Sequence, residues 1–130
     1  MPDPSTPLPT LLLVLVPLLL TVAGHRLYLH LVNPDADVYV LGHNVHHLFT
    51  GVLLLIPSAF VLAFGSGGPW VRGAALVGLG AGSGMALDQV IFLIVTDGSN
   101  ASYLRPVSLW GAVVLSALAA VLLLVLYALA

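Results

Sequence analysis

Four apolar runs, each long enough to cross a bilayer as a helix, are separated in this chain by short breaks rich in Pro, Gly and Asp. A helix needs about 20 mostly apolar residues to cross a hydrocarbon core of roughly 30 Å. Inside lipid there is no water for the backbone to bond, so a crossing segment must satisfy its own N–H and C=O groups, as a helix does. A soluble fold fails on charge, since only 6% of the 130 residues are charged and 60% are hydrophobic. Average soluble domains carry about 25% charged residues. The expected fold is all-α: one four-helix transmembrane bundle over residues 1–130, with helices near 8–31, 41–64, 70–95 and 106–129. Its first partner is the lipid bilayer, and its place is an integral membrane one.

The breaks and flanks refine this picture. Pro7 and Pro9 suit the first turn of a helix, where a missing N–H costs nothing. Pro17 and Pro57 fall inside helices and are expected to bend them. The run Leu8 to Leu20 has no positively charged leader, so it reads as a retained membrane helix rather than a cleaved signal. An even number of spans puts both ends on one side. Arg26 and Arg105 on one side against Arg72 on the other do not decide the orientation. Trp70, Tyr103, Trp110 and Tyr127 lie near helix ends, the places an aromatic belt occupies. Asn100-Ala101-Ser102 matches a glycosylation acceptor, a common chance match.

Small residues mark the packing faces. Ala74, Gly78, Gly82 and Ala86 recur at every fourth place, Gly80 and Gly84 form a second pair, and Ala112, Ser116 and Ala120 repeat the pattern in the last helix. Such spacing lets helix backbones approach closely in lipid. These faces also suit a second copy of the chain or a partner membrane subunit. The absence of cysteine removes disulfides, thiolate ligands and Cys nucleophiles. A net charge of −2 gives no reason to expect nucleic acid.

The chemistry-bearing residues are concentrated. All five histidines fall between positions 25 and 47: His25, His30, His43, His46 and His47. Topology places both groups on one membrane side, and helix three returns to that side carrying Asp88 and Gln89. At roughly 1.5 Å per residue, His25 and His47 each lie about 9 Å inside their helix ends, His43 about 3 Å and Asp88 about 12 Å. His43 and His47 are four apart and would share a helix face. Ionisable groups within a span are expensive and are functional candidates by default. An imidazole pair with a third histidine and a carboxylate is a good donor set for Zn²⁺. The expected metal site is therefore His25, His43, His47 and Asp88, with His30, His46, Gln89 and Arg26 as possible additional members. A metal with an open position would suit a hydrolase. The alternatives are a haem held by two histidines from different helices, or a non-enzymatic proton or ion carrier, sensor or assembly subunit. Arg26 is expected to point away from His25, towards Asp35, Asp37, Asp97 or a lipid phosphate, although Asp88 could also bond Ser, Asn or Arg26.

The stretches His46-His47-Leu48-Phe49-Thr50-Gly51, Gly80-Ala81-Gly82-Ser83-Gly84-Met85-Ala86-Leu87-Asp88-Gln89 and Thr96-Asp97-Gly98 together resemble small prokaryotic four-helix membrane proteins of unknown function. The resemblance covers roughly residues 25 to 105. It implies a prokaryotic cell membrane and a pairing of the histidines with Asp88, and it implies no reaction. Those proteins usually carry Asp-Glu where this chain has Asp88-Gln89, so one carboxylate ligand is missing. In chemistry alone the set is similar to membrane hydrolases of the ceramidase and progestin-receptor superfamily, which combine His-x-x-x-His with a separate Asp and Ser around zinc. Here His43, His47, Asp88 and Ser83 would take those parts, but that superfamily has about seven spans, too many for this chain.

Overall fold

A computed structural model describes residues 7–32 and 39–129, with the side chains of Tyr39, His43 and Asn44 left aside. The four expected spans are α1 (Pro7–Leu31), α2 (His47–Phe64), α3 (Pro69–Val95) and α5 (Pro106–Leu129). All four are long and apolar enough to cross a membrane. A short helix, α4 (Asn100–Tyr103), interrupts the loop before α5. The proline and glycine breaks act as expected at the third span: Gly68 is the N-cap of α3, with Pro69 at its start.

One boundary differs from the sequence expectation. The second helix begins at His47, not near 41, because residues 39–44 form a tight antiparallel hairpin of β1 (Tyr39–Val40) and β2 (His43–Asn44). Leu41 (φ 51) and Gly42 (φ 81) form its turn, both in the left-handed region. Two consecutive positive-φ residues make the two-residue connection whose twist matches paired strands. Tyr39 and Val40, aromatic and β-branched, favour extended backbone over helix. His43 therefore lies on β2, and the shared helical face expected of His43 and His47 does not form. His46 is the N-cap of α2, with extended dihedrals (φ −62, ψ 143).

The long helices are not equivalent. α3 is the central element, packing against α1, α2 and α5, and α1 also packs against α5. α2 packs broadly on α3 alone. The two glycine stripes of α3 serve different neighbours. Gly78 and Gly82 meet α2, at Ser58 and at Gly51, whereas Gly80 and Gly84 meet the α1 backbone at Val14 and Leu18. The closest approach is reciprocal. A Cβ on Gly82 would lie 2.5 Å from the Gly51 carbonyl oxygen, and one on Gly51 would lie 2.8 Å from the Gly82 carbonyl oxygen. Only two glycines allow that separation. In α5 the buried stripe is Ser108, Ala112 and Ser116, one turn earlier than the expected 112–120 stripe. Outward-facing side chains such as Leu20, Leu53, Phe60, Trp110 and Leu118 are exposed, as lipid-facing residues are.

The contact of Gly51 with Gly82 predicts a strong response to bulk. Gly82→Leu should lower the melting temperature in detergent, at a cost of about 1–3 kcal/mol from forced backbone separation. Gly73→Ala adds a Cβ with nothing within 4 Å and should melt like the parent protein. Equal melting of Gly82→Leu and the parent would show that this interface carries no strain on enlargement.

Candidate functional site: a buried Asp88–Arg26 cluster

The fold brings α1, α3, α4 and the starts of α2 and α5 together at one end of the bundle. Asp88, 1% exposed, is the centre. Arg26 Nε donates to Asp88 Oδ1 at 2.5 Å. His47 Nε2 lies 3.0 Å from Asp88 Oδ2, and the Tyr103 hydroxyl donates to the same oxygen. A carboxylate paired with a permanent guanidinium charge can only accept hydrogen bonds, so His47 Nε2 donates to it and Nδ1 is the ring nitrogen turned away from it. Burial, followed by the charge and hydrogen bond of Asp88, pushes the Tyr103 phenol well above its ordinary range. Tyr103 therefore remains a donor.

Arg26 is the second hub. It is buried and bonds Asp88, the alternative partner, rather than Asp97. Its Nη1 donates to the Tyr103 carbonyl at 3.3 Å. Its Nη2 reaches the Asp88 carbonyl at 3.3 Å and the Ser108 carbonyl and Oγ, both at 3.1 Å. The guanidinium also lies over the Tyr103 ring, 4.5 Å from its centroid. One side chain of α1 thus binds α3, α4 and α5, and a planar fork with five N–H donors is the group able to do so.

The remaining candidates divide clearly. The His25 and His47 rings lie in contact, with centroids 3.7 Å apart and planes tilted by 34°. Gln89 is buried and its Oε1 accepts from the Leu48 N–H at 2.8 Å, occupying a free donor in the first turn of α2. His46 is half-buried, with its ring edge-on to Phe92 at 6.1 Å. His30 is exposed at the end of α1. The His43 side chain lies outside what is described. No group of three or more His, Cys, Asp or Glu residues able to hold a metal ion occurs among the described residues. Asp88 explains part of this, since its oxygens already serve Arg26, His47 and Tyr103.

Two members of the cluster were not legible as such. Tyr103 reads as a belt aromatic, yet it is 3% exposed and packs edge-on against Phe92 at 5.1 Å. Ser108 reads as an ordinary small residue, yet it is fully buried beneath Arg26. Their recruitment depends on how α4 folds the 96–105 loop over the end of α3. Ser99 caps α4 by accepting from the Ser102 N–H. Ser102 is itself buried, its hydroxyl bonded to Ser99 and Thr96, so the acceptor-like triplet at 100–102 has its serine inside the fold.

Comparison with protein-family models, with curated proteins and with solved structures finds no match to this chain. What is known of the site therefore rests on its own geometry.

The pairing of Arg26 with Asp88 predicts an asymmetric mutational response. Arg26→Leu leaves a carboxylate buried without its counter-charge and should cost about 3–5 kcal/mol. The double variant Arg26→Leu/Asp88→Leu removes both charges and should be clearly more stable than Arg26→Leu alone. Denaturation of the parent, both single variants and the double variant in detergent gives the coupling, and strict additivity would refute it.

Proposed function

We propose that this chain is a proton-responsive membrane protein whose switch is the His25–His47 pair, working at one membrane face and carrying out no covalent chemistry. The observation that carries this reading is the stacking of the two rings at 3.7 Å, where α1 meets a helix that packs broadly on α3 alone. Two neutral imidazoles pack well at that distance. Two protonated ones repel strongly in a medium of low dielectric. The other groups facing the pair are Asp88 and Gln89 from α3, Tyr103 from α4, and Arg26 from α1. Asp88 bonds His47, and Arg26 already balances its charge. The partial positive charge at the start of α2 opposes a second cation there. Proton uptake by both rings thus parts α2 from α1 while Arg26 and Asp88 hold α1 to α3.

The placement of charge supports a one-sided role. From this layer to the far ends of the spans, where Arg72 and Tyr127 lie, no titratable side chain occurs on any described helix. A relay across the membrane through such groups has no further stations, so sensing fits better than transport.

A divalent-metal reading retains one specific support. A carboxylate behind a histidine, as Asp88 stands behind His47, is the usual way a ligating imidazole is oriented. In that reading His47 Nδ1 and His25 are the ligands and Asp88 orients them instead of binding directly. A hydrolytic role depends on that metal. A haem held by both rings would need them to separate. Elemental analysis and a visible spectrum of the purified protein distinguish these alternatives: stoichiometric metal or a haem band would displace the proton reading.

The chain has no cysteine of its own, which allows a direct test. Spin labels at Leu27→Cys and Phe49→Cys, both exposed positions on α1 and α2, report the separation of the helices. The distance should lengthen and broaden reversibly as the pH is lowered from about 8 to below about 4, a range wide enough for two neighbouring imidazoles to take up protons in turn. The shift should vanish when His25→Phe is added. A distance independent of pH in the unsubstituted background would end the proposal, and a shift that survives His25→Phe would place the switch elsewhere.

A further inference from the structure

The hairpin of residues 39–44 presents an apolar tip that the proton switch does not use. Leu41 is 96% exposed and Val40 52%, and no charged residue lies between Tyr39 and Gly42. In water such a tip would be a liability. The level of the hairpin within the fold indicates that water is not what surrounds it.

Three observations set that level. First, α2 has 18 residues, which rise about 27 Å, less than the roughly 30 Å of a hydrocarbon core. At least one of its ends therefore lies at or inside the boundary, and the next two observations point to its start. Second, His25 is level with the start of α2, because its ring touches that of His47. From His25, α1 runs on to Leu31, about 9 Å further, with Leu27, Tyr28, Leu31 and Val32 all exposed. Third, Asp88 touches the same His47. From there α3 runs on to Val95, about 10 Å further, with Ile94 and Val95 exposed. Two neighbouring helices thus keep mainly apolar outer faces, with His30 the polar exception on α1, well past the level at which α2 begins, and the hairpin shortly precedes that level in the chain.

We infer that the 39–44 hairpin is an interfacial anchor whose Val40–Leu41 tip lies among lipid at the headgroup–acyl boundary. The backbone argues for this shallow depth rather than a deeper one. The two short strands satisfy only part of their own N–H and C=O groups, and unsatisfied groups are not tolerated against hydrocarbon. At the boundary, lipid headgroups and water meet the open groups while the leucine side chain enters the acyl region. The occupant is the lipid itself, and the inference holds whether or not the histidines act as a switch.

Leu41→Cys, labelled with an environment-sensitive fluorophore, tests it in the full chain reconstituted into phosphatidylcholine vesicles. Ala101→Cys, exposed in the polar 96–105 loop, serves as the water-facing reference. Emission at position 41 should lie at shorter wavelength than at 101. It should be quenched by lipid bearing a nitroxide near its headgroup more than by lipid with a nitroxide deep in the chain, and little by aqueous iodide. Iodide quenching equal to that at 101, with no effect of nitroxide lipid, would place the tip in water and overturn the inference. Protection from all three quenchers would also overturn it, since protein and not lipid would then cover the tip. Because Leu41 is almost wholly exposed, its replacement leaves the packing of the fold intact.

Discussion

A single ion pair, Arg26 with Asp88, determines how this small bundle closes. Neither charge is tolerable alone at that depth, and together they recruit every polar group within reach. The guanidinium takes carbonyls from three other segments, and the carboxylate takes a phenol and an imidazole. Lipid offers helices no hydrophobic drive to associate, so packing and polar contacts must fix their order. The rest of the core is made of small residues, an apolar cluster of Leu29, Phe92 and Tyr103, and the buried Leu11, Val14, Leu18 and Leu76. The glycine contacts set how closely the helices approach, and the ion pair with its accessory bonds ties α1 to α3, α4 and α5 at one level.

The division of labour between glycines and polar groups follows from this. Along most of its length α2 is held by close backbone approach at Gly51, Gly78 and Gly82. At its N-terminus it is held by His47 on Asp88 and by the Leu48 N–H on Gln89. The first set is insensitive to solvent conditions. The second depends on protonation, and it lies next to the only titratable layer on the described spans before their far ends. A helix anchored in these two ways can loosen at one end without leaving the bundle.

The spans were legible because long apolar runs in lipid have one outcome, and three of the four helices begin and end within a residue of where the sequence put them. The hairpin was not legible, because Val-Tyr-Val-Leu reads equally as the start of an apolar helix. The left-handed turn at Leu41 and Gly42 is unusual for leucine and comes with the pairing of the two strands that it joins. At the site, depth counting brought His25, His47 and Asp88 to one level, and the structure places them in contact. It did not fix the direction of Arg26, for which Asp35, Asp37, Asp97 or a lipid phosphate stood ahead of the Asp88 that it bonds. Angular position on an isolated helix does not show how far a long side chain bends toward a buried acid. Tyr103 was misread for a related reason: its place depends on a four-residue helix whose only local signal is the Ser99 cap.

The 62-residue separation of Arg26 and Asp88 has a consequence for how the chain is made. Segments leave the ribosome in order, so α1 enters the membrane with its arginine before the acid that neutralises it has been synthesised. Until α3 arrives, that charge is best accommodated by a shallow α1, with Arg26 reaching the headgroups. The ion pair can close only once the third segment is in place, so the order of synthesis makes it a late contact of the bundle.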